Sequence, residues 1–209
     1  MICIIIDALG TRSRKYKKPF LYIGLSCYDL TTGEGCVYET VSTQNDPMFA
    51  LDDAIRFLEN YPPREVIFDC TKNLYTYLEK NKTFNNLTLN DMIAYLGLTE
   101  DHKMYKIHEM NRLSNIKYQT TLLDTIYNHK SNISCIDDLG LTFYNLGRLS
   151  LVALLEYTKN HQTMLLNRLK KPLYFCSKTK LFLGNKALEQ LDVIPLPNKP
   201  KSLFSIINF

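Results

Sequence analysis

Asp7, Asp29 and Asp69 carry the residue type that magnesium-dependent chemistry needs. Asp7 closes the apolar run that begins at Met1, Asp29 closes the run that begins at Phe20, and Asp69 lies inside EVIFDC. Magnesium takes carboxylate and water oxygens. Carboxylates on neighbouring strands can hold two such ions about 3.5–4 Å apart and cleave a phosphodiester, as in nucleases of ribonuclease-H type. A fourth acid on a helix would have to be Asp52 or Asp53, and neither is well spaced for it. The plainer role of these aspartates is to end strands, where they accept bonds from turn amides.

A second chemistry-bearing group is basic. Arg12, Arg14, Lys15, Lys17 and Lys18 crowd one short loop with Tyr16 among them. Such a loop can touch a DNA backbone and stack a base; it can equally be a solvated hairpin tip. Arg168, Lys170 and Lys171 can be the charged end of a helix, where cations suit the dipole. His161 reads as a satisfied side chain at a helix end. The net charge of +4 permits a polyanionic partner without demanding one.

Other chemistries are excluded. The glycines never form a phosphate-binding loop, and no serine sits in a nucleophile elbow. Cys3, Cys27, Cys36, Cys70, Cys135 and Cys176 form no CxxC pair and lack zinc spacings. Most of these cysteines sit in apolar segments and read as small hydrophobes in a reducing compartment. Met1–Ile6 is too short for a secretion signal, and no stretch approaches a membrane span.

The elements that must position these residues follow from periodicity. Met1–Ile6 reads as a buried strand, Phe20–Asp29 as a second, and Gly35–Ser42 as its return partner across a tight turn. Asp46 is a candidate N-cap, with Pro47 opening an amphipathic helix over 47–60 that Pro62 and Pro63 stop. Glu65–Cys70 is an inner strand, 73–80 a helix, 90–97 a short helix and Lys103–His108 an edge strand. Lys117–Asn128 is a helix with an apolar side. From 145 to 160 the apolar residues run almost all round, so that helix must be covered on several sides. The order predicts an α/β domain over about 1–160, a mixed sheet flanked by helices. After Pro172 come short strand-like runs and two short helices, the last of which stops uncapped at Phe209; this predicts a segment of a longer protein.

On particular wording the chain resembles the MutS family of DNA mismatch-repair proteins from about Phe20 to Phe209. IGLSCYDLTTGEG (Ile23–Gly35) looks like the strand and turn that open the family's connector domain, with Asp29, Thr31, Thr32 and Gly33 filling its Asp-x-[Ser/Thr]-Thr-Gly pattern. LGRLSLVALLEYTKNHQ (Leu146–Gln162) looks like the long helix that ends that domain. LFLGNKALEQLDVI looks like the opening of the core, or lever, domain, with Leu183, Asn185, Ala187 and Leu188 in the comparable places. SLFSIINF is similar to the helix that follows. The wording of 139–172 is most similar to the branch found in large DNA viruses and octocoral mitochondria.

The resemblance implies a fragment. Residues 1–160 would be a connector with a ribonuclease-H-like fold and no catalytic site, and 161–209 the truncated, mostly helical start of the core. The family's mismatch-reading domain, clamp and ATPase are not in this sequence. The implied function is to couple mismatch and DNA binding to the ATPase, non-catalytic by itself. ATP and magnesium, mismatched double-stranded DNA and dimerisation would belong to the full-length protein, alongside contacts to its other domains. The location would be intracellular: cytoplasm or nucleoid, viral factory or mitochondrion. The alternative is a small metal-dependent nuclease using Asp7, Asp29 and Asp69.

Overall fold

β1 (Ile2–Leu9) is buried from end to end except at Leu9, as a strand covered on both faces must be. β2 (Phe20–Tyr28) lies antiparallel beside it, with Ile2 opposite Cys27 and Asp7 opposite Tyr22. β3 (Gly35–Val41) returns antiparallel to β2. In this computed structural model residues 1–10, 19–98 and 102–175 are described. The basic loop Arg12–Lys18 and the family-like positions Leu183, Asn185, Ala187 and Leu188 lie outside them, as do the other elements expected after Phe175.

α1 (Phe49–Asn60) crosses to β4 (Glu65–Cys70), which lies parallel to β1 on the side away from β2. α2 (Lys72–Asn81) and α3 (Leu89–Tyr95) lead to β5 (Lys103–Tyr105), a short edge strand parallel to β4. α4 (Met110–Leu113), α5 (Ile116–Ile126) and α6 (Cys135–Asp138) precede the long α7 (Asn145–His161). α8 (Thr163–Leu166) and β6 (Leu173–Tyr174) complete the described chain, and β6 pairs in parallel with β3. The six-stranded mixed sheet has the order β5-β4-β1-β2-β3-β6. All of these elements fall in one unit, Met1–Phe175.

The two faces are covered differently. α1 packs on β2 and β3, and α2 on β1. α7 lies across β2, β1 and β3 on the opposite face, and α4 and α5 pack on its outer side. Its run Leu146–Leu155 is buried throughout, since one flank meets the sheet and the other meets helices. That double cover accounts for the all-round apolar pattern. Gly24 lets α7 approach β2 closely: a Cβ there would stand 2.3 Å from the Leu146 carbonyl oxygen.

One local expectation fails. Asp46 is not the N-cap of α1; the cap position is Met48 and the helix begins at Phe49. Asp46 instead folds a turn, its Oδ1 accepting from the Met48 amide at 3.1 Å. Capping comes from Ser42, just past β3. Its hydroxyl donates to the Pro47 carbonyl at 2.8 Å and accepts from the Ala50 amide at 3.2 Å. A side chain arriving from the strand thus satisfies one of the first-turn amides that the helix itself leaves without a partner.

Candidate functional site

The sheet separates the acidic residues. Ile5 is in register with Asp69, so by strand alternation Asp69 and Asp7 share one face of adjacent parallel strands at their carboxyl ends. Both are nearly buried. Asp7 Oδ1 accepts from its neighbour's amide, Ala8, at 2.8 Å and from the Thr71 hydroxyl. Asp69 Oδ1 accepts from the Cys70 amide at 2.7 Å and from the Tyr75 hydroxyl at 3.0 Å. Burial, then the bond to Asp69, pushes the Tyr75 hydroxyl well up, which keeps it a donor.

Asp29 does not join them. It follows Tyr28, at the end of β2 that lies beside Met1, whereas Asp7 pairs with Tyr22. Seven residues of strand separate the two levels, roughly 23 Å at about 3.3 Å per residue. Asp53 is no fourth ligand either. It accepts the Tyr38 hydroxyl under α1, and Tyr38 alternates to the opposite sheet face from Ile5. Asp52 accepts from Tyr95 at 2.6 Å. Among the described residues no group of three His, Cys, Asp or Glu side chains could hold a metal ion.

The other end of the sheet is where the motif residues assemble. Asp29 Oδ1 takes the Thr31 amide at 2.8 Å and the Thr31 hydroxyl at 2.5 Å. Those bonds, the hydroxyl's first, hold its carboxyl below the ordinary 3.8. The Gly33 amide bonds the Asp29 carbonyl at 2.8 Å, and the Asp29 amide bonds the Glu34 carbonyl at 2.9 Å. Gly33 adopts φ +73, and a Cβ on it would stand 2.1 Å from the Arg168 carbonyl oxygen. Its own carbonyl receives the Lys170 amide at 2.8 Å. Thus Asp29 and Thr31 shape the turn, and Gly33 docks the segment that leaves α8.

Three further contacts hold that segment. The buried Tyr28 hydroxyl donates to the Lys170 carbonyl at 2.8 Å and lies 2.5 Å from the Tyr127 hydroxyl. Tyr28 has one proton, already given to Lys170, so Tyr127 is the donor between them. Lys170 Nζ reaches Glu34 at 3.2 Å. Lys171 pairs with Asp138, which lowers that carboxyl, and Asp138 also lies 3.4 Å from His129 Nδ1. The cations Lys170 and Lys171 are therefore engaged by acids of the same unit. Arg168 contributes a carbonyl here, not a charge. His161 stacks on Tyr157 and its Nδ1 lies 2.9 Å from that residue's carbonyl oxygen.

Two polar anchors were missed from sequence. Glu39 on β3 caps α7, its Oε2 accepting the Leu146 and Gly147 amides at 3.1 and 3.0 Å. Buried Arg148 bonds Gln119, Asn145 and the carbonyls of Leu141 and Thr142. A lone arginine inside an otherwise apolar helix was the available signal, since a buried charge requires partners. Nothing local marked Glu39.

These features define a mixed α/β domain whose strand turn grips the chain leaving its last helices. No family model matches the chain. It is 30% identical over 216 residues to a protein of the Acanthamoeba polyphaga mimivirus that is named a mutS homologue for DNA mismatch repair. The match covers 91% of this chain and 18% of that protein. The chain therefore spans about a fifth of the length of the curated relative it matches. The similarity supports a MutS-like relationship. Among the described residues no helix is long and apolar enough to cross a membrane.

Proposed function

We propose that this chain is the connector module of a MutS-like mismatch-repair protein, a non-catalytic domain that couples DNA binding to ATP hydrolysis elsewhere in the longer molecule. The observation that carries the reading is the docked exit segment. The turn Asp29–Gly33, which resembles the family's connector motif, is shaped around the backbone of Arg168 and Lys170. A module that passes position from one domain to the next needs a stiff exit, and this turn supplies one. The mixed sheet, with an antiparallel β1–β2–β3 meander and parallel β4 and β5, agrees with the ribonuclease-H-like fold implied by the resemblance. The similarity along 91% of the chain supports the family side of the reading. Mismatched DNA, ATP, magnesium and a second subunit belong to the longer protein in this proposal.

Transcript sequencing across the locus tests it. The expected result is a reading frame continuing beyond Phe209 into a phosphate-loop ATPase. A stop codon there, with magnesium-dependent DNA cleavage by the purified chain that Asp7→Asn or Asp69→Asn removes, would overturn the connector reading.

A further inference from the structure

We propose that Cys27 and Cys36 form an oxidisable dithiol that a small disulfide of the glutathione class converts into a cross-strand disulfide. The two residues stand directly opposite each other on β2 and β3. Opposed residues of an antiparallel pair share a face and have Cα atoms about 4.5–5.5 Å apart. The Asp29 amide bond to Glu34 and the Ser42 amide bond to Leu21 make Cys27 and Cys36 a hydrogen-bonded pair, at the wide end of that range. A disulfide accepts Cα separations of roughly 4.4–6.8 Å, so the bond needs no slip of register, but it must draw β carbons about 5.5 Å apart to within about 4.5 Å, and that strain makes it easily reduced. Neither cysteine is in a disulfide in this structure. The placement is selective. Cys3 lies opposite Ser26 and Ile67, Cys70 opposite Ile6, and Cys135 sits on α6. Among the described residues no other two cysteines face each other across the ladder.

The pair is reachable. Both side chains are mostly covered, yet both line an open cavity of about 1120 Å³ together with Tyr61, Asn60 and Arg64. The Tyr61 hydroxyl bonds the Cys36 sulfur. Burial, then the neighbouring Cys36, pushes the Cys27 thiol up to about 12. In the proposed sequence Cys36 opens, and the reaction is slow because the attacking thiolate must form in a covered site. The Cys36 thiolate attacks one sulfur of the small disulfide; its S–S bond breaks and one small thiol leaves with the Cys36 proton. Cys27 then attacks the Cys36 sulfur of the mixed disulfide and expels the second small thiol, which takes the Cys27 proton. The protein loses two electrons and two protons, and the small disulfide becomes two thiols. The new bond staples β2 to β3 beside the turn that holds Lys170, and Cys36 itself pairs with Leu173 of β6. This inference does not depend on the connector reading.

Glu34 lies between the two cysteines, which gives a direct assay. The 209-residue chain is equilibrated with graded ratios of oxidised to reduced glutathione, alkylated, and cut by a glutamate-specific protease together with trypsin, which cuts among Arg12, Arg14, Lys15 and Lys17 and so separates Cys3 from Cys27. Mass spectrometry should find the Cys27 and Cys36 fragments joined without reductant and separate with it, before any other cysteine is linked. Cys27→Ser and Cys36→Ser should each abolish the link. Fragments that stay separate at every ratio, a mixed disulfide on Cys36 that never closes, or earlier linkage of another pair would each overturn the proposal. Mapping on the unmodified chain decides the matter even if a variant folds poorly.

Discussion

Gly33 and Gly140 both adopt positive φ, +73 and +68, but their surroundings differ. Alanine at either pays the left-handed backbone penalty, about 1–2 kcal/mol. At Gly140 nothing lies within 4 Å of the added carbon, whereas at Gly33 it meets the Arg168 carbonyl oxygen at 2.1 Å. Gly33→Ala should therefore destabilise the chain distinctly more than Gly140→Ala in urea unfolding; equal losses would mean that the exit segment is not docked on the turn. Asp29 gives a second test at this scale. Thr31 holds its carboxyl below 3.8, first through the hydroxyl and then through the amide. Because the folded value is depressed, the turn's contribution is complete above the unfolded value and fades as pH falls through the folded one. Thr31→Val should move the Asp29 midpoint up towards 3.8 in a carboxyl carbon NMR titration; an unmoved midpoint would exclude the Thr31 hydroxyl as the main cause. The turn's own residues were legible in sequence because an Asx turn closes within a few positions. Its docking partner was not, because Lys170 lies far along the chain and only folding brings it to Gly33.

α7 is the element on which both layers rest. Leu154 is fully buried and Leu149 is 7% exposed. Leu154→Ala should cost about 2–5 kcal/mol in equilibrium unfolding, with Leu149→Ala at or below that range. A loss under about 0.5 kcal/mol at both positions would remove α7 from the core. The helix was readable because an apolar run too long for a strand reads as a helix covered on several sides. The strands were readable too: Glu65–Cys70 falls where its apolar run predicted, and β1 to β3 follow the expected hairpins within a few residues. Helix starts were less legible, for one physical reason. α7 takes its capping carboxylate from Glu39 and α1 takes its hydroxyl from Ser42, both on or beside β3. Capping rules read neighbours along the chain, and here the donors to be satisfied find acceptors across the sheet edge. The carboxylate constellation misled in a related way. Three aspartates in or at the end of apolar strand runs look equivalent in sequence, but an antiparallel strand carries its end to the opposite end of the sheet, so Asp29 leaves Asp7 and Asp69 behind.

At the scale of the whole unit, the question is which residues close the fold. The last described residue, Phe175, is 4% exposed and packs edge-on against Tyr38, Phe57 and Tyr61, at centroid distances of 5.1, 5.3 and 6.1 Å. Its amide bonds the Val37 carbonyl at 2.8 Å, which extends the β3–β6 pairing. The chain that leaves α7 thus passes the Gly33 turn, crosses Tyr28 and reaches an aromatic cluster beneath α1. Edge-to-face pairs add about 0.5–1.5 kcal/mol beyond the area they bury. Removing a core phenylalanine ring costs about 3–5 kcal/mol. Phe175→Ala in the 209-residue chain should therefore destabilise the sheet itself, lowering the urea midpoint with little change in slope. Amide exchange should locate the loss: β3 and α1 become less protected while β4 and β5, on the far side of β1, change least. A chain shortened to residue 160 should show the same loss in stronger form, because it lacks the Gly33 and Tyr28 contacts as well as Phe175. If Phe175→Ala leaves β3 and α1 as protected as before, the exit segment rests on the sheet without supporting it, and the fold closes at α7.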